Sequence, residues 1–215
     1  MAQLFKPSSN TYTTLILRGV GLLAGGALFG LYQFNTLPYV TRAYESREQP
    51  VQFSHKHHNG ELGIDCRYCH TQVEDTAFAG IPATQICMNC HAQIWKDAPI
   101  LEPVRASYRT GESLEWTRVH DLADFAYFNH AAHLAKGVGC ASCHGDVTQM
   151  NLTYQVENLS MGWCLDCHRD PAKAVRPKDK LFDTTWVADN QRELGAKLVA
   201  EYHVEPRTDC STCHR

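Results

Sequence analysis

The sequence predicts a mostly irregular fold of short α-helices packed around prosthetic groups, preceded by one N-terminal transmembrane helix. Three observations lead to it. All ten cysteines fall into five Cys-x-x-Cys-His motifs, residues 13–34 form a long apolar run, and the remainder is poor in core-forming residues. From residue 51 onward Leu, Ile, Val and Phe make up 32 of 165 positions, about 19 per cent, near the level at which a charged chain fails to fill a core.

The motifs stand at Cys66/Cys69/His70, Cys87/Cys90/His91, Cys140/Cys143/His144, Cys164/Cys167/His168 and Cys210/Cys213/His214. Cys-x-x-Cys-His is the attachment signal for c-type haem. On a helical turn, positions i, i+3 and i+4 share one face, so two thiols can form thioethers to the vinyl groups while the histidine reaches the iron. Paired cysteines are also a zinc spacing, but zinc does not require a histidine directly after the second cysteine. With 12 histidines in 215 residues, five such coincidences have a chance on the order of one in a million. Disulfides across Cys-x-x-Cys would close a tiny loop and stabilise little. The expectation is five covalently bound haem c groups, which then form most of the core, so that the apoprotein does not fold.

The first and third motifs belong to a repeat. Phe53-Ser-His55-Lys-His57-His58 precedes Cys66, and Phe128-Asn-His130-Ala-Ala-His133 precedes Cys140, each as Phe-x-His-x-x-His and a glycine-containing linker. His58 lies eight positions before Cys66 and His133 seven before Cys140, a slip of one residue.

The formal charge of −3 understates the acidity, because each haem brings about two propionates, partly offset by ferric iron. No basic run or Gly-rich phosphate loop points to nucleic acid. Covalent haem attachment implies the periplasmic side of a membrane.

Along the chain, residues 1–12 form a polar cytoplasmic N-terminus. Residues 13–34 form the transmembrane helix, about 33 Å long, with Arg18 near its cytoplasmic end. Lys6 and Arg18 precede the apolar centre and no acidic residue appears before Glu45, so the rest lies outside. A cleaved signal peptide is the alternative to this anchor. Gly21-x-x-x-Gly25 and Gly26-x-x-x-Gly30 suit close packing against another subunit's helix, although glycine is also common in membrane helices. Residues 35–52 read as a linker, 53–91 and 128–168 as two dihaem modules, 92–127 as an insert, and 169–215 as a C-terminal arm. That arm carries the fifth motif and a short helix near Asn190 to Tyr202.

Seven histidines remain outside the motifs: His55, His57, His58, His120, His130, His133 and His203. They suffice as distal ligands for five irons without methionine. If Phe-x-His-x-x-His is helical, its two histidines share one side, and the haems they serve are close neighbours.

This arrangement resembles the class III multihaem cytochromes. The resemblance implies that the first histidine of each pair serves the next attachment motif and the second another haem of the same module. It thus pairs His55 with His70, His58 with His91, His130 with His144, and His133 with His168. The iron on His214 then needs a further ligand. His120 in Arg118-Val-His120-Asp-Leu is the expected one and His203 the competitor. His57 is a spare surface residue, and Met88, Met150 and Met161 are expected as filler, with His/Met coordination the alternative.

Over nearly its full length the chain is similar to the pentahaem subunit of alternative complex III, on its anchor, its five motifs and the run from Trp116 to His133. That resemblance implies an electron-transfer subunit of a bacterial inner-membrane, quinol-oxidising complex. Its partners would be other membrane subunits, including an iron-sulfur subunit and a monohaem cytochrome c. With no substrate of its own, it would pass electrons towards a periplasmic cytochrome or terminal oxidase. A catalytic multihaem reductase commonly replaces one proximal histidine by lysine, and here all five are histidine. A stand-alone quinol dehydrogenase places its first motif close to its anchor, whereas 31 residues lie between Phe34 and Cys66.

Overall fold

A computed structural model describes residues 5–214. Residues 1–4 and 215, the tips of the expected cytoplasmic stretch and of the C-terminal arm, lie outside the described residues. The chain divides into two compact units, Met1–Arg42 and Ala43–Arg215.

The first unit is the helix α1 (Ser8–Thr36), 29 residues without a buried side chain. It is long and apolar enough to cross a membrane. It exceeds the apolar run at both ends, where Thr14 donates to the Asn10 carbonyl, Asn35 to Leu31 and Thr36 to Gln33. It stops where Pro38 forces Leu37 into extended backbone, with ψ 147°. A turn, α2 (Pro38–Thr41), comes next and ends on Arg42 with φ 58°.

The second unit holds a π-helical turn (Lys56–Glu61), α3 (Cys66–Cys69), α4 (Thr84–His91), α5 (Glu102–Thr110), α6 (His130–Ala135), α7 (Ala141–His144), α8 (Met161–Arg169), α9 (Gln191–Glu201) and α10 (Cys210–Cys213). Among the described residues there is no β-strand, and Val138 and Val175 form an isolated bridge. Short polar side chains start several of the helices. Asp65 accepts from the Arg67 N–H, Asn129 from Ala132, Ser160 from Trp163 and Asn190 from Glu193, each satisfying an amide that the first turn leaves open.

The apolar packing is confined to small clusters. Val51, Leu101 and Val104 form one, with Cys87, Met88, Leu114 and Trp116 against it. The segment 92–127 therefore supplies a helix and half of a core, more than its proline and charge content suggests. Val73, Leu134 and Leu181 form the other, with Phe182 beside them. Residues 169–209, polar on average, likewise contribute the fully buried Val175 and the buried Leu181 and Leu198. Helix α9 packs on the turn Pro171–Lys173 so closely that a Cβ at Gly195 would overlap the Ala172 carbonyl.

The one-residue slip between the two repeats is absorbed locally. In the second copy α6 is α-helical, and Val138 N–H donates to the His133 carbonyl at 2.9 Å, five residues back. In the first copy the turn is π-helical, and the equivalent bond, Ile64 N–H to the His58 carbonyl at 3.1 Å, spans six. A wider π turn accommodates an added residue without displacing the attachment motif downstream. Both copies then turn on a glycine with positive φ, Gly63 at 69° and Gly137 at 86°.

Candidate functional site

Each attachment motif occupies a helical turn. His70, His144 and His214 donate their backbone N–H to the carbonyl of the first cysteine of their motif, each at 2.9 Å. This closes the turn that brings the two thiols and the imidazole to one side. All ten cysteines are free of disulfides. Burial pushes the Cys143 thiol up to about 12 and Cys140 up to about 11, with nearby cysteines adding to it. The sites therefore disfavour thiolate and suit the uncharged thioether that attachment would leave. A structural zinc needs three or four converging ligands, and among the described residues no three His, Cys, Asp or Glu side chains converge in that way.

Four of the seven histidines outside the motifs lie opposite one inside them. His55 and His70 have ring centroids 6.5 Å apart and planes 7° from parallel, and His130 and His144 are 6.3 Å apart at 9°. His58 faces His91 at 6.1 Å and 66°, and His133 faces His168 at 6.0 Å and 70°. An imidazole–metal bond is about 2 Å, so two bonds with half a ring on either side span about 6 Å. The four gaps match one iron apiece. In each repeat the first pair is nearly parallel and the second crossed.

The other ring nitrogens are engaged. The Nδ1 of His70 meets the Gly80 carbonyl at 2.7 Å, His91 meets Ile94, His168 meets Arg207 and His214 meets Phe125. On the opposite side His58 uses Ser54, His130 uses Ala77 and His133 uses Asn129, all carbonyls, while His55 uses the Thr153 hydroxyl. A partnered Nδ1 fixes the tautomer and leaves Nε2 with its lone pair for a metal. Burial, then the neighbouring histidines, holds His55 down to about 4 and His144 to about 3, so both are neutral near pH 7.

His120, expected opposite His214, lies elsewhere. Its Nε2 is 3.2 Å from the Nδ1 of His144, and the two rings are 4.2 Å apart at 75°. The segment that carries His120 is held there by Gln49, which bonds Thr117, and by Arg47, which donates to the Arg118 carbonyl. The ring beside His214 is that of Phe125, at 5.8 Å. His203 is exposed in the turn after α9, where its carbonyl and that of Tyr202 accept from Lys136. His57 is exposed, bonded to Glu61 at 2.9 Å and stacked on Trp95. Met88 and Met150 are packing residues, and Met161 is exposed.

Neighbouring thiols and hydrogen bonds give the motifs a spatial order. Cys69 of the first motif feels Cys87 and Cys90 of the second, and Cys140 of the third feels Cys66 of the first. Cys143 feels Cys164 and Cys167 of the fourth, and Cys164 feels Cys213 of the fifth. The repeats also clasp each other, because His130 and Ala131 donate their N–H groups to Ala77 and Thr76 while Lys56 donates to Met150. The row runs second, first, third, fourth, fifth.

Residues 126–215 match the family described as cytochrome c7 and related cytochrome c, and residues 34–111 match the class III cytochrome C family. A relative in Nitratidesulfovibrio vulgaris (strain Hildenborough), described as menaquinone reductase, multiheme cytochrome c subunit, is 31% identical over 170 residues. The match covers 69% of this chain and 78% of the relative. The chain belongs to this family of multihaem c-type cytochromes. Each of the two family matches covers one of the sequence repeats. Facing imidazoles of this kind would be able to hold an iron from two sides, and a haem so held would supply a one-electron couple.

Proposed function

We propose that the chain is a membrane-anchored pentahaem relay in a quinone-linked respiratory complex, with one haem c on each attachment motif. The observation that carries this reading is the set of four facing histidine pairs, 6.0 to 6.5 Å between centroids. Haem c, when bound, supplies a one-electron iron couple. The chain's own residues do the rest. Cys66, Cys69, Cys87, Cys90, Cys140, Cys143, Cys164, Cys167, Cys210 and Cys213 hold the groups covalently. His70, His91, His144, His168 and His214 bind from one side, and His55, His58, His130 and His133 bind from the other. Fixed tautomers and half-buried rings keep the geometry constant between oxidation states, which lowers the cost of each transfer.

Helix α1 serves as the anchor in the bacterial inner membrane, with the N-terminus cytoplasmic and the cysteine-rich unit periplasmic, in accord with Lys6 and Arg18. The complex is of the alternative complex III type, oxidising quinol beside an iron-sulfur subunit and a monohaem cytochrome c. A second reading runs the relay the other way, delivering electrons to menaquinone, and the relative's description as a menaquinone reductase subunit favours it.

The test is to purify the native assembly in mild detergent, count haem per chain and titrate with cyanide or carbon monoxide. The expected result is five haems, of which the four with paired histidines refuse the ligand. Fewer than five haems, zinc in any motif, or turnover of an oxyanion at one of the four would sink the reading. Supplying menaquinol with an oxidised periplasmic carrier, or menaquinone with a reduced one, decides the direction.

A further inference from the structure

Among the nine histidines placed to hold iron, eight give their Nδ1 to oxygen, seven times a carbonyl and once a hydroxyl. His144 gives its Nδ1 to nitrogen. Its partner, His120 Nε2, is 3.2 Å away, and the rings meet edge to face at 75°. The His144 ring also faces that of His130 at 6.3 Å with the planes 9° apart, and when its Nε2 is given to an iron in that gap, as the proposed reading has it, its Nδ1 carries the proton. The proton on His144 fixes the other ring: His120 accepts through Nε2 and holds its own proton on Nδ1. An Nε2 used as an acceptor has no lone pair left for a second iron.

The segment bearing His120 is held in place. Gln49 bonds both the carbonyl and the N–H of Thr117, each at 2.9 Å, and Arg47 donates to the Arg118 carbonyl at 2.8 Å. Arg118 in turn pairs with Asp121 at 3.0 Å. His120 therefore sits between two anchored residues, its ring half-buried against the third motif.

We infer that His120 is a positioning residue for the third haem, setting the orientation and donor strength of His144, and is not a ligand of the fifth. The inference rests on the proposed reading that His144 binds iron. An imidazole nitrogen is a stronger acceptor than an amide carbonyl, so it draws the Nδ1 proton harder and makes His144 a better donor to ferric iron. The third site is thereby held at a lower potential than a carbonyl partner would give. This site joins the two modules, so its potential governs passage from one half of the row to the other.

The experiment compares wild type, His120→Leu and His120→Gln in the full-length protein within its native complex, by haem count, redox titration and low-temperature electron paramagnetic resonance. Leucine removes the acceptor, and one of five midpoints should rise, by about tenfold in its reduction equilibrium or about 59 mV. A ferric signal of a nearly parallel pair should change with it, while the haem count and the spin state of every haem stay as in wild type. Glutamine puts a weaker acceptor, an amide oxygen, in place of the imidazole nitrogen and should leave the same midpoint raised, but by less than leucine does. A new five-coordinate, carbon-monoxide-binding haem in both variants would show that His120 is a ligand and overturn the inference. So would five unchanged midpoints. If leucine costs a haem, the glutamine midpoint alone decides, a wild-type count with one raised midpoint supporting the inference and none opposing it. A wild-type protein with fewer than five haems would instead refute the underlying reading.

Discussion

The stretches at 53–91 and 128–168 have the same frame of facing histidines and different surroundings. In both, a nearly parallel histidine pair is followed by a crossed one, and a left-handed glycine precedes the first cysteine. The connection differs, a π turn in the first and an α turn in the second. So does the enclosure. Gly63 has open space around it, whereas a Cβ on Gly137 would lie 2.9 Å from the Tyr202 ring and 3.0 Å from the Arg176 carbonyl. The partner of the first proximal histidine differs as well, a carbonyl for His70 and a second imidazole for His144. Ligand spacing is thus set within a module, whereas the environment of each site comes from whatever packs on it. The second module lies in the middle of the row.

Damage to that middle should cost the most. On the proposed reading, replacing Cys140 and Cys143 by alanine removes a haem between the modules and exposes both inner faces, so the unit at 43–215 should lose its fold and be proteolysed. The same change at Cys210 and Cys213 removes an end and should leave four haems on an intact protein. Haem-stained mass and limited proteolysis distinguish these outcomes, and equal damage from both would contradict the linear order.

A milder contrast separates the two glycines. Gly63→Ala meets only left-handed backbone strain, about 1–2 kcal/mol. Gly137→Ala has that strain and also collides with Tyr202, adding about 1–3 kcal/mol. Thermal melting of the holoprotein should place Gly137→Ala clearly below Gly63→Ala, and identical melting temperatures would mean that the second turn is not enclosed as described.

A spectroscopic difference, with no cost in stability, separates the pairs within each module. Parallel imidazole planes make the two in-plane directions at an iron unequal, and crossed planes make them nearly equal. Ferric spectra should therefore contain two rhombic signals, from His55/His70 and His130/His144, and two of larger g anisotropy from the crossed pairs. Four signals of one kind would show that the plane angles do not persist in the loaded protein.

The attachment points were legible before folding, because cysteine spacing and the following histidine are local chemistry confined to five residues. The apolar helix and the repeat were legible too, since hydropathy and motif order are one-dimensional properties. The small cores contributed by 92–127 and 169–209 were hidden, because their apolar residues are scattered among charges and meet only in the folded chain. The contact of His120 with His144 was equally hidden. A histidine's partner across 24 positions depends on how Arg47 and Gln49 hold the segment at Thr117 and Arg118, and no local pattern encodes that. The spatial order of the motifs likewise differs from their order along the chain, because each module buries its first site against the other.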